Sequence, residues 1–428
     1  NALKKEGYIF MEEINQNSQT FLDFNSDILK PSNENDLQEI IKYCYKKDLP
    51  IEIVGAGTKN QIGKKLQCAK ILDMSNISGI LEYKPEELYI TVKAGTPIKT
   101  VQDELKKNNQ YLAFEPINFS ELFKKDSNEG TIGGTLSCNF SGSRRFKVGS
   151  ARDHILGFKG YNGKGEKIKS GGTVVKNVTG YDLSKLVTGS FGTLLVLSEI
   201  TLKVLPLQTD TKTIIVSGLA LEHSVGIMGS AIASSNDPSG EVFYPANFRN
   251  NFVFNDLTHP GSITAIRVEG TKTSTEQRIN NLIEDLSLID KNITVLDSTQ
   301  SEIFWENTRS LRVFSKNQKN ILRAVIPPSE AINLINRLKT FHPTYFIDWG
   351  GSLIWLELDY LSNQKIDQIR KRVLDMGGYL TVIKSPENLK SSSEIFTIDP
   401  IKFKISQSLK KSFDPKRIFN PGKMYTGI

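Results

Sequence analysis

Ile53-Val54-Gly55-Ala56-Gly57-Thr58-Lys59-Asn60-Gln61-Ile62-Gly63 is the stretch on which the reading of this sequence turns. It continues the alternating run Leu49-Pro-Ile-Glu-Ile-Val, so a strand is expected to end in a glycine loop. Glycine adopts positive φ and lets a ligand approach the backbone with no Cβ in the way. Consecutive N–H groups aimed into such a loop form an anion nest. Thr58, Asn60 and Gln61 add donors, and Lys59 adds a charge, a set that suits a pyrophosphate. Two familiar phosphate motifs fail letter by letter. The dinucleotide fingerprint G-x-G-x-x-G needs glycine or alanine where Asn60 stands, and a helix where Gly63 and β-like residues follow, although Asp73 imitates its ribose-binding acid. The Walker loop needs glycine at Thr58 and Ser or Thr at Lys65. An ordinary tight turn explains a single G-x-G equally well.

A second loop changes that balance. Gly130-Thr131-Ile132-Gly133-Gly134-Thr135-Leu136-Ser137-Cys138-Asn139-Phe140-Ser141-Gly142 combines glycines with hydroxyls and amides. Ile132, Leu136 and Phe140 recur every fourth position, which predicts a helix after the Gly-Gly pair and donors facing a phosphate or flat heterocycle at its N-terminus. Close packing of a helix on a strand explains Gly-Gly but not the polar residues.

Around these loops, Leu37, Ile40, Ile41 and Cys44 predict a helix, and short strands are expected at 70–74, 80–83 and 88–94. Ile98, Val101 and Leu105 mark a further helix, 158–169 a hairpin turning at Asn162-Gly163, and 192–205 a long β run. From 207 to 385 strands alternate with helices at 222–234, 274–288, 330–341 and 363–376, as in an α+β domain with helices on one face of its sheet. Ser391-Ser-Ser reads as a linker before a helical tail, and no internal repeat is evident.

The 428 residues suffice for two to three domains, and 38% hydrophobic with 24% charged residues fits a globular protein rather than a disordered one. No run approaches the roughly 18 apolar residues of a membrane span. The start, Asn1-Ala-Leu-Lys-Lys-Glu-Gly, has neither a signal-peptide core nor an initiator Met, so upstream residues are expected. Cys44, Cys68 and Cys138 are far apart, which excludes a disulfide framework, a cysteine-ligated zinc site and an iron–sulfur centre within the chain; a reducing cytosol is expected. The net charge of +7 comes from scattered lysine pairs, a solvated surface rather than the focused footprint of a nucleic-acid binder. An anionic cofactor, an acidic substrate or an anionic membrane face would also tolerate it.

Taken together, the motifs resemble those of flavoproteins of the vanillyl-alcohol oxidase type with a PCMH-type FAD domain, and among them the FAD-binding E-subunit family of bacterial glycolate oxidases. Besides the two loops, the resemblance rests on Gly142-Ser-Arg-Arg, Gly149-Ser-Ala-Arg-Asp-His-Ile-Leu-Gly157 and Asn162-Gly-Lys-Gly-Glu. It continues through Lys176-Asn-Val-Thr-Gly-Tyr-Asp-Leu, Gly189-Ser-Phe-Gly-Thr, Ile347-Asp-Trp-Gly-Gly and Phe413-Asp-Pro-Lys-Arg-Ile-Phe-Asn-Pro-Gly-Lys-Met. It implies an α+β fold: an N-terminal extension (1–30), a PCMH-type two-subdomain FAD-binding domain (31–205), an α+β cap (206–390) and a tail (391–428) returning to the FAD domain. It puts Gly55, Ala56, Gly57, Thr58, Lys59, Asn60 and Gln61 on the pyrophosphate. Gly130, Thr131, Ile132, Gly133, Gly134 and Asn139 would line the flavin and ribityl side. Arg152 and Asp153 lie in the next shared motif, and Gly192, Val196 and Ile200 would meet the adenosine or ring. With no His or Cys between Gly55 and Gly63, the FAD is expected to be non-covalent.

Relatives that oxidise 2-hydroxy acids themselves carry a closely spaced His pair in the cap. Here His154, His223, His259 and His342 are scattered, and no metal is expected. Asp348 is a candidate acid–base group, and Arg309 and Arg312, after Trp305, could clamp a carboxylate or serve at an interface. The resemblance implies a subunit that takes part in oxidising glycolate to glyoxylate beside a catalytic FAD subunit and an iron–sulfur subunit, in the cytoplasm or at the inner face of the membrane through that complex. The alternatives are a self-sufficient FAD oxidase or dehydrogenase of another hydroxy acid or alcohol, and an FAD-stabilised scaffold.

Overall fold

Asn33 starts the first helix, Glu34–Lys47, by accepting from the N–H groups of Asn35 and Asp36, and Leu37, Ile40, Ile41 and Cys44 form its buried stripe. The computed structural model describes residues 22–124, 129–172, 181–251, 261–287, 292–314 and 319–428. The Lys176-Asn-Val-Thr-Gly motif, His259 and most of the expected N-terminal extension lie outside the described residues. That first helix packs on a parallel sheet of Ile28–Leu29, Lys70–Asp73 and Ile51–Val54. Because Ile28–Leu29 pairs with Ile71 and Leu72, this unit begins before residue 31, where the extension was expected to end.

The second half is a five-stranded antiparallel sheet in the order Ile80–Lys84, Tyr89–Lys93, Val196–Lys203, Ile155–Tyr161, Lys167–Gly171. Ile98, Val101 and Leu105 of helix Ile98–Lys107 are buried in its core, as are Ile132 and Leu136 of helix Ile132–Cys138. Thr131 caps the latter helix by accepting from Gly134 N–H at 3.2 Å. Asn139 ends it in the left-handed region at φ +54, so Phe140, expected on the helix, lies just past it.

The cap is one antiparallel eight-stranded sheet made of two copies of a strand–helix–strand–strand–helix–strand unit. The first copy contributes the order Ile293–Leu296, Asp210–Ser217, Ile263–Gly270, Gly240–Tyr244; the second continues with Thr344–Asp348, Leu353–Leu358, Asn320–Val325, Tyr379–Lys384. Val242 opposite Asp348 and Phe243 opposite Ile347 form the seam. This corrects the expectation of no internal repeat. The repeat lives in topology, which needs only that helices Leu221–Ala233, Lys272–Ser287, Ala331–Leu338 and Asn363–Leu374 keep an apolar face toward the sheet. Strand Gly240–Tyr244 was not legible because Glu241 interrupts its apolar pattern although all five residues are buried. The Ser391-Ser-Ser linker is also corrected: it closes helix Glu387–Ser392, with the Ser392 and Ser393 hydroxyls donating to Asn363 Oδ1.

Candidate cofactor cleft and cap interface

Between the two halves runs an open cleft lined by both glycine loops. One wall is the first glycine loop, Gly55 to Asn60, and the other is Thr131, Gly133, Gly134, Ser137 and Cys138 of the second. The loops touch. A Cβ on Gly55 would lie 2.4 Å from Thr131 Oγ1, and one on Gly130 would lie 2.8 Å from Thr58 Oγ1 and 2.9 Å from Lys59 Nζ. Gly57 has φ +69, and Gly133 donates its N–H to Ala94 O at 2.8 Å, an approach a Cβ would block. Lys59 is buried with its ammonium near Thr58 Oγ1, and burial pulls its pKa below the usual lysine value. A buried lysine with no carboxylate within 4 Å among the described residues, Glu129 acting on it only from farther away, faces a glycine cradle and suits an anionic dinucleotide.

Of the expected cofactor residues, Gly55, Ala56, Gly57, Thr58, Lys59, Asn60, Thr131, Gly133, Gly134, Gly192 and Val196 line this cleft. The others do not. Gln61 is exposed, and Ile132 and Ile200 point into the hydrophobic core. Gly130 supports from behind the wall, donating space to Thr58 and Lys59 while its C=O accepts from Ile98 N–H. Asn139 accepts from Arg152 N–H, and Asp153 accepts from Ser150 N–H at 2.8 Å in a capping box. The shared motif at 149–157 therefore builds a helix start rather than a cleft wall. Sequence reasoning missed the apolar lining of Met74, Phe191, Leu195 and Leu197, and it missed Ser137 and Cys138. It also gave no role to Asn420 and Lys423, although their motif was in view.

Those two residues come from the C-terminal tail. Asn420 accepts from Ile53 N–H at 2.8 Å and donates to Phe191 O at 2.7 Å, which ties the halves together across the cleft. Lys423 is buried and donates to Asn60 O at 2.7 Å. The tail is held by buried Asp414, which accepts from Lys410 Nζ and from the N–H groups of Ile418 and Phe419. Asp414→Ala should strand the Lys410 ammonium, which is only 2% exposed, without its carboxylate. FAD affinity, measured by equilibrium dialysis, should fall at least fivefold; unchanged affinity would show that the tail does not support the cleft.

The FAD half meets the cap through buried charge. Arg144 holds Glu269 through Nε and Nη2 and Glu115 through Nη1, and Arg267 donates to Glu115 Oε1 at 2.9 Å. Burial alone would push the Glu115 and Glu269 carboxyls up, but the Arg144 and Arg267 charges overcome it and hold Glu115 below, and Glu269 well below, the usual range. Asp348 sits beside this network, accepting from Ser143 Oγ at 2.9 Å and Trp349 N–H at 2.7 Å, and burial raises its pKa to about 7. Neighbouring Glu241 is buried with neither carboxylate oxygen hydrogen-bonded, and burial followed by the Asp348 charge pushes it well above the usual range. Arg309 is engaged by Glu306, Glu129 and Pro116 O, and Arg312 by Glu121 and Asn307. Both therefore tie the cap helix Ser298–Arg309 and the turn after it to the FAD half, and neither presents a free fork to a carboxylate. His154 is buried in the FAD half against Val148 O; His223 and His342 lie on separate cap elements. Among the described residues no group of three His, Cys, Asp or Glu could hold a metal.

Residues 27–171 match the FAD binding domain family, a stretch that includes both glycine loops; the rest of the cleft wall comes from residues 191–197 and from Asn420 and Lys423. The matched stretch is an FAD binding domain, and the chain is an FAD-dependent oxidoreductase whose fold is like that of PCMH-type flavoproteins. Along nearly its whole length it is similar to glycolate oxidase subunit GlcE of Escherichia coli, 28% identical over 392 residues, 92% of this chain and 97% of that protein. It is 24% identical to glycolate oxidase subunit GlcD of Bacillus subtilis, covering 93% and 88%, and 23% identical to a D-lactate dehydrogenase of Archaeoglobus fulgidus, covering 93% and 90%. A solved alkyldihydroxyacetonephosphate synthase shares the fold at TM-score 0.68 and 16% identity, over 92% of this chain and 75% of that one. Among the described residues no helix is long and apolar enough to cross a membrane.

Proposed function

We propose that this chain is an FAD-binding subunit of a complex that oxidises glycolate, or a close 2-hydroxy acid, to the 2-oxo acid and hands the electrons to companion subunits. The observation that carries this reading is a glycine-lined cleft with buried lysines beneath a cap in which Arg309 and Arg312, readable as clamp or interface residues, are committed to internal carboxylates. Gly55, Gly57, Gly133 and Gly134 would give the dinucleotide room, and Lys59 and Lys423 would balance its phosphates. Bound FAD supplies the acceptor for two electrons. Burial raises the Cys138 thiol in the cleft to about 11, which keeps it protonated at neutral pH and supports non-covalent binding. Asp348, near neutrality, is the candidate group to hold a proton at the cap interface. The end-to-end likeness to a glycolate oxidase subunit supports companion subunits; in this reading they are a catalytic FAD subunit and an iron–sulfur subunit, and any location at the inner face of the membrane comes through them. All three cysteines here are free and separate.

The test is anaerobic reduction. The purified chain should be yellow and should release its flavin on acid precipitation. It should bleach slowly or not at all with glycolate or D-lactate, and turnover should appear when companion subunits are added. Rapid bleaching of the isolated chain would overturn the dependence on partners and favour the self-sufficient enzyme. Equal turnover with a flavin-free variant would favour the scaffold.

A further inference from the structure

Among the described residues, the buried arginines at the junction of cap and FAD half each have a carboxylate within 4 Å except one, on which Asp348 acts only from farther away. Arg144 and Arg267 share Glu115 and Glu269, and Arg309 has Glu129 and Glu306. Arg323, on strand Asn320–Val325, is 7% exposed, and its Nε has no hydrogen-bond partner. Aromatic faces surround its guanidinium instead: Trp349 at 5.0 Å, Phe140 at 5.5 Å and Trp355 at 5.8 Å. A second guanidinium, from half-buried Arg145 of the FAD half, lies 4.7 Å from the same Trp349 ring. Burial, and after it the charge of Arg145, lowers the pKa of Arg323 to about 10. Two cations gathered on one indole repel each other, and an indole face does not supply the hydrogen-bond acceptors a desolvated guanidinium needs.

We infer that Arg323 and Arg145, on either side of the domain junction at Trp349, form a binding site for a small carboxylate anion. A planar carboxylate matches the guanidinium fork and supplies the missing acceptor. Ser143, whose hydroxyl now donates to Asp348, and the Trp349 ring would complete its surroundings. Tyr379, half exposed and paired with Val325 on the same strand ladder, marks the side open to solvent. None of these residues lines the dinucleotide cleft. The inference deepens the proposed function, on which it rests for the identity of the anion as a 2-hydroxy or 2-oxo acid.

The experiment titrates oxalate and glycolate into the full chain and follows tryptophan emission, while flavin content is read separately by absorbance. Wild type should bind oxalate saturably. Arg323→Met should weaken binding at least tenfold and Arg145→Met threefold or more, both with FAD content unchanged. If Arg323→Met does not fold, Arg323→Lys, which keeps the charge but loses the fork, should still weaken binding about fivefold. Wild-type-like oxalate affinity in the arginine variants, or no saturable binding by flavin-loaded wild type, overturns the site and leaves the FAD reading standing. A chain that binds oxalate through Arg323 but takes up no flavin supports the site and removes the proposed function.

Discussion

Gly55→Ala is expected to yield a colourless protein whose affinity for FAD has fallen about a hundredfold, close to 2.7 kcal/mol. The added methyl carbon would lie 2.4 Å from Thr131 Oγ1 and 3.1 Å from Thr131 Cγ2. Thr131 cannot swing away cheaply, because its hydroxyl accepts from Gly134 N–H and caps the helix that forms the opposite wall. Either the cap breaks or the two walls separate, and both outcomes spoil a cleft that depends on their contact. Gly57→Ala is the milder control: its Cβ has room, 3.6 Å from the Asn60 side chain, so its cost is that of holding alanine at φ +69. The ratio of flavin to protein absorbance after gel filtration measures both. Full flavin content in Gly55→Ala would mean that these loops are not the cofactor site.

The second large effect is on assembly of the molecule rather than on the cofactor. Arg144→Met leaves Glu115 and Glu269 buried with Arg267 as their one close cation among the described residues. Removing one partner from a buried ion cluster typically costs about 3–5 kcal/mol, because the stranded charge cannot return to water. A fall in unfolding midpoint of roughly 5 °C or more should follow, with protease sensitivity between cap and FAD half. The pH dependence has a definite sign. Both carboxyls are depressed in the folded protein, so their contribution is present above the unfolded glutamate value, about 4.3, and is lost as pH falls through the lower folded values. Without Arg144 those carboxyls titrate higher, so wild type should lead the variant most at neutral pH, and the gap should narrow below about pH 4. A gap that widens on acidification would show that the network does not act as described.

What was legible in the sequence was local. The stripe Leu37, Ile40, Ile41, Cys44 and the alternation before Gly55 follow from the 3.6- and 2-residue periods of backbone, which a dozen residues specify by themselves. The glycine loops were readable for the same reason, since freedom at Gly57 and close approach at Gly133 are properties of the missing Cβ. The cap's repeat was not readable, because topology needs only an apolar pattern and Glu241 conceals one of its strands. Nor were the roles of charged residues. Arg309 and Arg312 could be read as a clamp or as interface residues until the fold supplied Glu129 and Glu121, and nothing in the sequence pointed to Arg323, whose Nε burial leaves without a hydrogen-bond partner. Arg267 meets Glu115 across 152 positions of sequence, and Asn420 meets Phe191 across 229. A side chain's charge acts through distance and desolvation, both set by which distant segments fold against it. Sequence alone therefore determined where the backbone could bend, run and admit a ligand; the tertiary structure decided which charges are spent holding the protein together and which are left for something else to bind.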